Sequence, residues 1–462
     1  MLRGSSRFRR VARVARVARA AIAAVGLLGC GASPALRAAE DGNLPELKRA
    51  IEGEARRGEL DADEARDIAR TIAAAEAENA AGSVGADRIR ELLPCAKEIA
   101  GSLERRAEVN DEVGAVAALG LLEEGLVSLE EIGPRALAAA NARASGGAGG
   151  LEAAAAAAWR AVRARSLKEP GDGQERRRSM LDGDEGVRVA AIRAAVDAAD
   201  PSDTDALIEA ARVDPNPLAR TLAVRALGAI GGERVVLALK DIWALADEPR
   251  RQVITTSWAA PGAIEAGGRR ELLLVAETQK GTLSIAAAIA LGRVGGAGSA
   301  SAIGVLARAI EAGPTRDRIY AINVSPLHAQ PIREAILKAQ ADTDEAVALA
   351  AIARRLETLG EGGAKPGTPE RKAIVAKLLK IAASDSPLAM RARGSLARAR
   401  VREVIPLLER QVTSKSVDAR EAAGLSLARM GEGELPRAVV LVADPEPRVR
   451  TSVACAILNA PR

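Results

Sequence analysis

Aromatic residues are almost absent from this chain. Phe8, Tyr320, Trp159, Trp243 and Trp258 are the full set in 462 residues. A compact core of this length relies on such bulk, so thin layers packed through Ala, Leu and Val are expected instead. Histidine is rarer still, with His328 alone. One histidine excludes His-based zinc sites and two-His iron centres. A Ser-His-Asp triad would have to use His328, with no Gly-x-Ser-x-Gly elbow to support it. The three cysteines, Cys30, Cys95 and Cys455, show no metal-ligand spacing. Cys95 and Cys455 lie far apart along an elongated array, so no intramolecular disulfide is expected between them. There is no Walker loop, and the glycine-rich run at 292–300 follows a helix pattern, so it reads as a turn. No pair of carboxylates stands out from the helix-surface background. The expectation is therefore no catalytic group, no metal and no cofactor. Sustained apolar–polar alternation is missing too, which makes the chain all-α.

Charge is distributed unevenly. The formal net charge of +5 becomes −2 once the seven arginines of residues 1–29, which include no acid or lysine, are set aside. A near-neutral body with so few stacking platforms offers little to nucleic acid. The arginine-rich start precedes a short apolar run, Ala20 to Leu28, and then Leu27-Leu28-Gly29-Cys30. A basic stretch followed by a short apolar one is the layout of an export signal, and the run is too short to span a bilayer. Three readings stay open. Leu-Leu-Gly-Cys resembles the lipobox of bacterial lipoproteins, which would make Cys30 an acylated mature N-terminus and give a membrane-surface anchor. Cleavage near Ala38-Ala39 would release a free exported protein. A low-complexity basic arm would leave a cytoplasmic adaptor.

What the chain does contain is a repeat. An acidic residue is followed six positions later by arginine and then by alanines at three and six beyond, as in Asp214, Arg220, Ala223 and Ala226. The copies give Asp182 with Arg188, Asp214 with Arg220, Asp385 with Arg391, Ser414 with Arg420, and Asp444 with Arg450. Ser284 and Leu349 take the arginine place in two weaker copies. A period of about 30 residues with two helices per unit marks a helical array. Asp, Pro and Ser start the turn and cap the next helix. The small alanines let neighbouring helices approach. Gly231, Gly295, Gly360 and Gly431 are placed to end a helix in the left-handed conformation.

The Asp-Pro turn, the steps Val187-Arg188, Ala219-Arg220 and Val449-Arg450, and the Ala-x-x-Ala-Leu-Gly run resemble the HEAT family, in particular the short HEAT-like repeats of phycobilisome lyases. The resemblance covers roughly 175–462 and implies an α-α superhelix. It also implies that the Asp and Arg residues form a structural ladder between adjacent repeats and that the Arg-bearing helices line the concave side. The family hosts scaffolds, adaptors and a few enzymes. An enzyme of the lyase or glycosylase type would need a tight pocket with convergent acids, for which Trp243 and Trp258 are the only aromatic wall available.

The expected organisation is a signal over 1–29, a linker over 30–43 and an N-terminal helical region over 44–144. A glycine-rich hinge and an alanine-rich helix over 145–174 lead into the solenoid over 175–462. Within 44–144, helices are expected near Leu44–Gly58 and from Ala62 to about Asn79, the latter opened by a capping box at Asp61–Glu64. Arg176-Arg177-Arg178 reads as a solvated helix face. The repeat rhythm breaks at about 247–271, 311–331 and 360–370. Insertions in such arrays form loops, so Trp258, Tyr320 and His328 are candidate partner contacts. The last helix carries Val449, Val453, Ala456 and Ile457 on one stripe with no capping unit after it. It is expected to dock on the N-terminal region, on a second copy in self-association, or on a partner. Together these features predict an exported, non-enzymatic scaffold that holds a protein partner.

Overall fold

The structure is a computed structural model, and it describes residues 33–83, 92–95, 160–361 and 368–461. Among the described residues every regular element is helical. The signal, Cys30, Trp159, the 145–150 hinge and the middle of the 360–370 break lie outside the described residues.

Three helices open the described chain: α1 (Pro34–Glu40), α2 (Leu44–Arg57) and α3 (Ala62–Ser83). Local chemistry sets each boundary. The Ser33 hydroxyl accepts the Leu36 amide at the start of α1, and Pro34 needs no partner there. Asn43 caps α2 through Glu46, while Gly58 ends it at φ 70°. Asp61 accepts the Glu64 amide to begin α3. The expected linker over 30–43 thus contains a helix, and Ala35, Ala38 and Ala39 are buried in it.

After a helical stretch at 160–166, paired helices follow. They are α4 (Gly173–Ser179), α5 (Glu185–Ala198), α6 (Thr204–Val213), α7 (Pro217–Ile230), α8 (Glu233–Leu245), α9 (Glu248–Ser257), α10 (Arg269–Thr278), α11 (Gly281–Val294) and α12 (Ser299–Glu311). Then come α13 (Thr315–Val324), α14 (Gln330–Ala339), α15 (Glu345–Glu361), α16 (Pro369–Ala382), α17 (Ala389–Arg398), α18 (Ile405–Val412), α19 (Val417–Met430) and α20 (Pro447–Leu458). The odd-numbered helices from α5 to α19 pack side by side in one row, and α20 continues it. The intervening helices back them in a second row. Each layer is thin, and its apolar face is completed by its neighbour.

Two expected breaks are regular parts of this array. The 247–271 stretch holds α9 and a π turn at Ile264–Gly268, and the 311–331 stretch holds α13. They lost the repeat motif and kept the helix. Small residues set the closest approaches. A Cβ added to Gly228 would lie 2.7 Å from Ser257 Cβ, and one on Gly424 would lie 2.4 Å from Val453 Cγ2. Gly231, Gly295 and Gly431 do adopt positive φ, but with ψ near 180°, a region only glycine enters freely and distinct from left-handed helix. Gly360 lies within α15 and does not end it.

The array also closes on itself at one end. Helix α3 packs on α20, and α2 packs on the Val439–Ala443 turn. Ile51, Ile68 and Ile72 share one buried core with Val449, Val453 and Ile457. The C-terminal stripe therefore docks on the N-terminal region of its own chain. Cys95 and Cys455 form a disulfide with Cα atoms 4.9 Å apart. This corrects the expectation of no intramolecular disulfide. That expectation treated the N-terminal region as one end of a line, whereas its helices occupy the place of a further repeat beyond α20.

Candidate functional site

The repeat arginines weld one layer to the next. Arg188 Nε and Nη2 donate to the two Asp214 carboxylate oxygens at 2.9 and 3.3 Å. Its Nη1 donates to the carbonyls of Asp182 and Gly183 in its own preceding turn. Arg420 repeats the arrangement with Asp444 at 2.6 and 2.9 Å and with the Ser414 and Lys415 carbonyls. Each acid is also fixed locally. Asp182, Asp214, Asp342 and Asp444 accept the amide two residues on, at 2.8 to 2.9 Å. That is an Asx turn leading into the helix cap. The hydrogen bonds to Asp214 and Asp444 hold the Arg188 and Arg420 pKa values above the ordinary arginine range.

Three rungs escaped the sequence reading. Arg160 pairs with Asp182 at 3.5 Å. Arg318 grips Asp342 through Nη1 and Nη2, and this holds the Asp342 carboxyl below its ordinary pKa. Arg450 donates from Nε and Nη2 to Glu76 Oε1 at 2.8 and 2.7 Å while Nη1 binds the Asp444 and Pro445 carbonyls. Glu76 belongs to α3, so the N-terminal helix supplies the acid that a following repeat would carry. The missed signal is the acid-x-cap pair. Asp342-x-Asp344 matches Asp214-x-Asn216 even though Arg is absent six residues after Asp342.

Two assignments need correction by one residue. Ser384, not Asp385, accepts the amide two residues on, and Asp385 and Arg391 are both exposed, out of the ladder register. The neighbouring Arg393 turns inward and donates to the Ala382 carbonyl at 2.7 Å. In the α15 copy the arginine place belongs to Ala348, six after Asp342, and Leu349 is core. Ser284 does stand in for arginine: its hydroxyl donates to the Ala276 carbonyl eight residues back, as Arg251 and Arg318 do to Trp243 and Ile310.

The basic run also divides. Arg176 is fully buried, paired with Asp200 and Asp203 and bonded to the Leu167 and Glu169 carbonyls. It is a structural anchor and no part of a solvated face.

The three residues expected to meet a partner do not share one site. Trp258 is only 1% exposed and packs in the core, its ring centroid 6.3 Å from that of Trp243. Arg251 covers the Trp243 ring at 4.6 Å. The two rings meet as packing, so Trp258 is corrected from a contact residue to a core residue. His328 is exposed in a turn, where its carbonyl accepts from Arg333. Tyr320 sits on α13 and lines a groove of about 270 Å³ between α9, α11 and α13. Ala259, Ala286 and Ala290 contribute small apolar surface there, with Gln252, Thr256 and Arg293 as polar neighbours. Among the described residues no three His, Cys, Asp or Glu side chains cluster as metal ligands. Likewise, none of their helices is long and apolar enough to cross a membrane.

Comparison with known proteins agrees with this geometry. A family model described as HEAT repeats matches residues 175–259. No curated protein matches. Among solved structures, the X-ray structure of Escherichia coli YibA is 17% identical, covering 58% of this chain and 94% of its own at a TM-score of 0.32. An engineered protein is 20% identical over 83% of this chain and 98% of its own, at a TM-score of 0.20. The described residues form an all-α solenoid, and residues 175–259 match the model of HEAT repeats.

Proposed function

We propose that this chain is a non-enzymatic scaffold that presents the row of odd-numbered helices to a protein partner. The observation that carries this reading is the groove between α9, α11 and α13. It is shallow and continuous with the helix row, and its only aromatic side chain is Tyr320. Tyrosine supplies rigid contact area at low entropic cost, which suits a protein interface. Small alanines beside it admit a partner side chain. Arg188, Arg318, Arg420 and Arg450 are used within the ladder, so the repeat signature serves the fold and leaves recognition to this face. The test compares proteins cross-linked to the full chain and to a Tyr320→Glu variant in cells of its origin. An unchanged set of cross-linked partners would remove the groove from the reading.

The scaffold is further proposed to be exported and held at a membrane surface through Cys30. Two features support this. A disulfide between Cys95 and Cys455 suits an oxidising compartment. The Ser33 side chain caps α1, and cleavage near Ala38-Ala39 would remove α1 residues that are buried. A cut before Cys30 leaves that helix whole. Mass analysis of the mature N-terminus decides: a product starting at Ala39 or at Met1 would rule out the anchor.

A further inference from the structure

Charge in the central repeats is sorted by row. Helices α7, α9, α11 and α13 hold seven arginines and two acids, Glu248 and Asp317. The helices that back them, α6, α8, α10 and α12, hold seven acids and six basic residues. Both acids of the first set sit in the first turns of their helices. Glu248 accepts from Thr282, and Asp317 lies against Gly281. Neither lines the groove between α9, α11 and α13.

One side chain in the wall of that groove is charged, Arg293. It is exposed, and among the described residues it has no acid as a partner. A second arginine takes an equivalent place one layer earlier. Thr256 and Ile289, both in the groove wall, stand nine residues past the caps Asp247 and Lys280. Nine residues past the α7 cap Asn216 stands Arg225. Helix α7 packs on α9, so Arg225 continues the same face. It too is exposed and without an ion pair among the described residues. Past α13 the row changes character. Arg293 stands thirteen residues past its cap, and the same place on α15, thirteen past Asp344, is Glu357. That acid is tied to Arg354 and Arg398. Uncompensated positive charge therefore belongs to the stretch of the row that carries the groove.

We propose that the groove takes an acidic peptide segment of the partner, with one carboxylate on Arg293, a second toward Arg225, and an apolar side chain seated among Ala286, Ala290 and Tyr320. This rests on the scaffold reading of the groove and adds the chemistry of its occupant. A guanidinium fork matches a carboxylate through two parallel hydrogen bonds. Opposite charge at the edge of an apolar contact steers the partner and fixes its register. Ile289, Val294 and Val324 give the walls an aliphatic surface, which suits a peptide side chain better than a sugar-phosphate backbone.

The test selects random twelve-residue peptides, displayed on phage, against the full chain. Enriched sequences are then synthesised with a fluorescein label and titrated by anisotropy. Selection should enrich Asp and Glu beside Leu, Ile or Val. Tyr320→Glu and Arg293→Glu should each weaken the labelled peptides by about tenfold or more, and Arg225→Glu by a smaller factor. A selection repeated on the Arg225→Glu, Arg293→Glu double variant should enrich Lys and Arg instead. Arg293→Gln, which removes the charge alone, replaces Arg293→Glu if the latter lowers the melting midpoint. Peptides that need Tyr320 but carry no acidic bias, or keep their affinity without Arg293, would overturn the acidic occupant and leave the groove as a contact site. A selection that enriches nothing, or peptides indifferent to Tyr320→Glu, would remove the groove and this proposal together. A thymidine dodecamer bound as tightly as the peptides, with the same need for Arg293, would overturn a peptide as the occupant.

Discussion

A repeat arginine in this chain satisfies two needs with one side chain. It caps carbonyls that its own turn leaves open, and it neutralises the acid that holds the next turn. Both partners are largely buried in the Arg188–Asp214 rung, with side chains 12% and 5% exposed. Removing one leaves the other stranded. Asp214→Ala is therefore expected to cost about 2–4 kcal/mol in urea unfolding. Arg391→Ala, out of register and exposed, should stay within about 0.5 kcal/mol. Equal effects would deny the register correction. Glu54 gives a prediction in pH. It is buried in α2 with one oxygen on the Ala35 amide and the other unpartnered, and burial raises its pKa. A carboxyl whose folded pKa is raised disfavours the fold once it ionises, so the penalty is absent below the unfolded value of about 4.3 and grows as pH rises. Glu54→Gln should raise the melting midpoint at pH 7 and lose that gain toward pH 4.

Helices in this molecule are separated by what their small residues permit. Gly424 lets α19 meet α20, and Val453 lies where its side chain would go. Gly424→Val is expected to overpack that crossing by about 1–3 kcal/mol, measurable as a lower denaturant midpoint. Trp258 does the opposite, filling space at the α9 layer as one of the largest fully buried side chains. Trp258→Ala should cost about 3–5 kcal/mol through the cavity it creates. These layers show why motif and helix part company. Helices α9 and α13 kept their apolar faces while losing the acid-to-arginine spacing, so a reading anchored on that spacing takes them for insertions. Apolar periodicity is the deeper signal, because burial holds a helix in its layer whether or not a rung is present.

For the molecule as a whole, the N-terminal helices act as the missing last repeat. Glu76 completes the Arg450 rung, Arg66 reaches Glu432 at 2.8 Å, and the Cys95–Cys455 disulfide ties the two regions across 360 residues. An uncapped array would leave the α20 stripe in water. Cys455→Ser is expected to weaken this closure by about 2–5 kcal/mol. Limited proteolysis of that variant should release fragments within 33–95 well before the repeats are cut. Simultaneous digestion of both regions would mean that the cap does not come off as a unit.

Helix identity, layer thickness, the arginine rungs at Arg188 and Arg420 and the all-helical character of the described residues were legible in the linear chain. They follow from neighbours a few residues apart: a turn acid, a cap, an apolar face. What lay hidden was every relation between distant segments. Glu76 looks like any other helix-surface acid until α3 is seen beside Arg450. Cys95 and Cys455 look unpaired until the cap is in place. Arg176 looks solvated until Asp200 and Asp203 are seen around it. Local backbone chemistry writes the layers into the sequence. Which end meets which, and which acid a given arginine meets, arise only when the layers stack, because those energies depend on burial and on groups as far as hundreds of residues away.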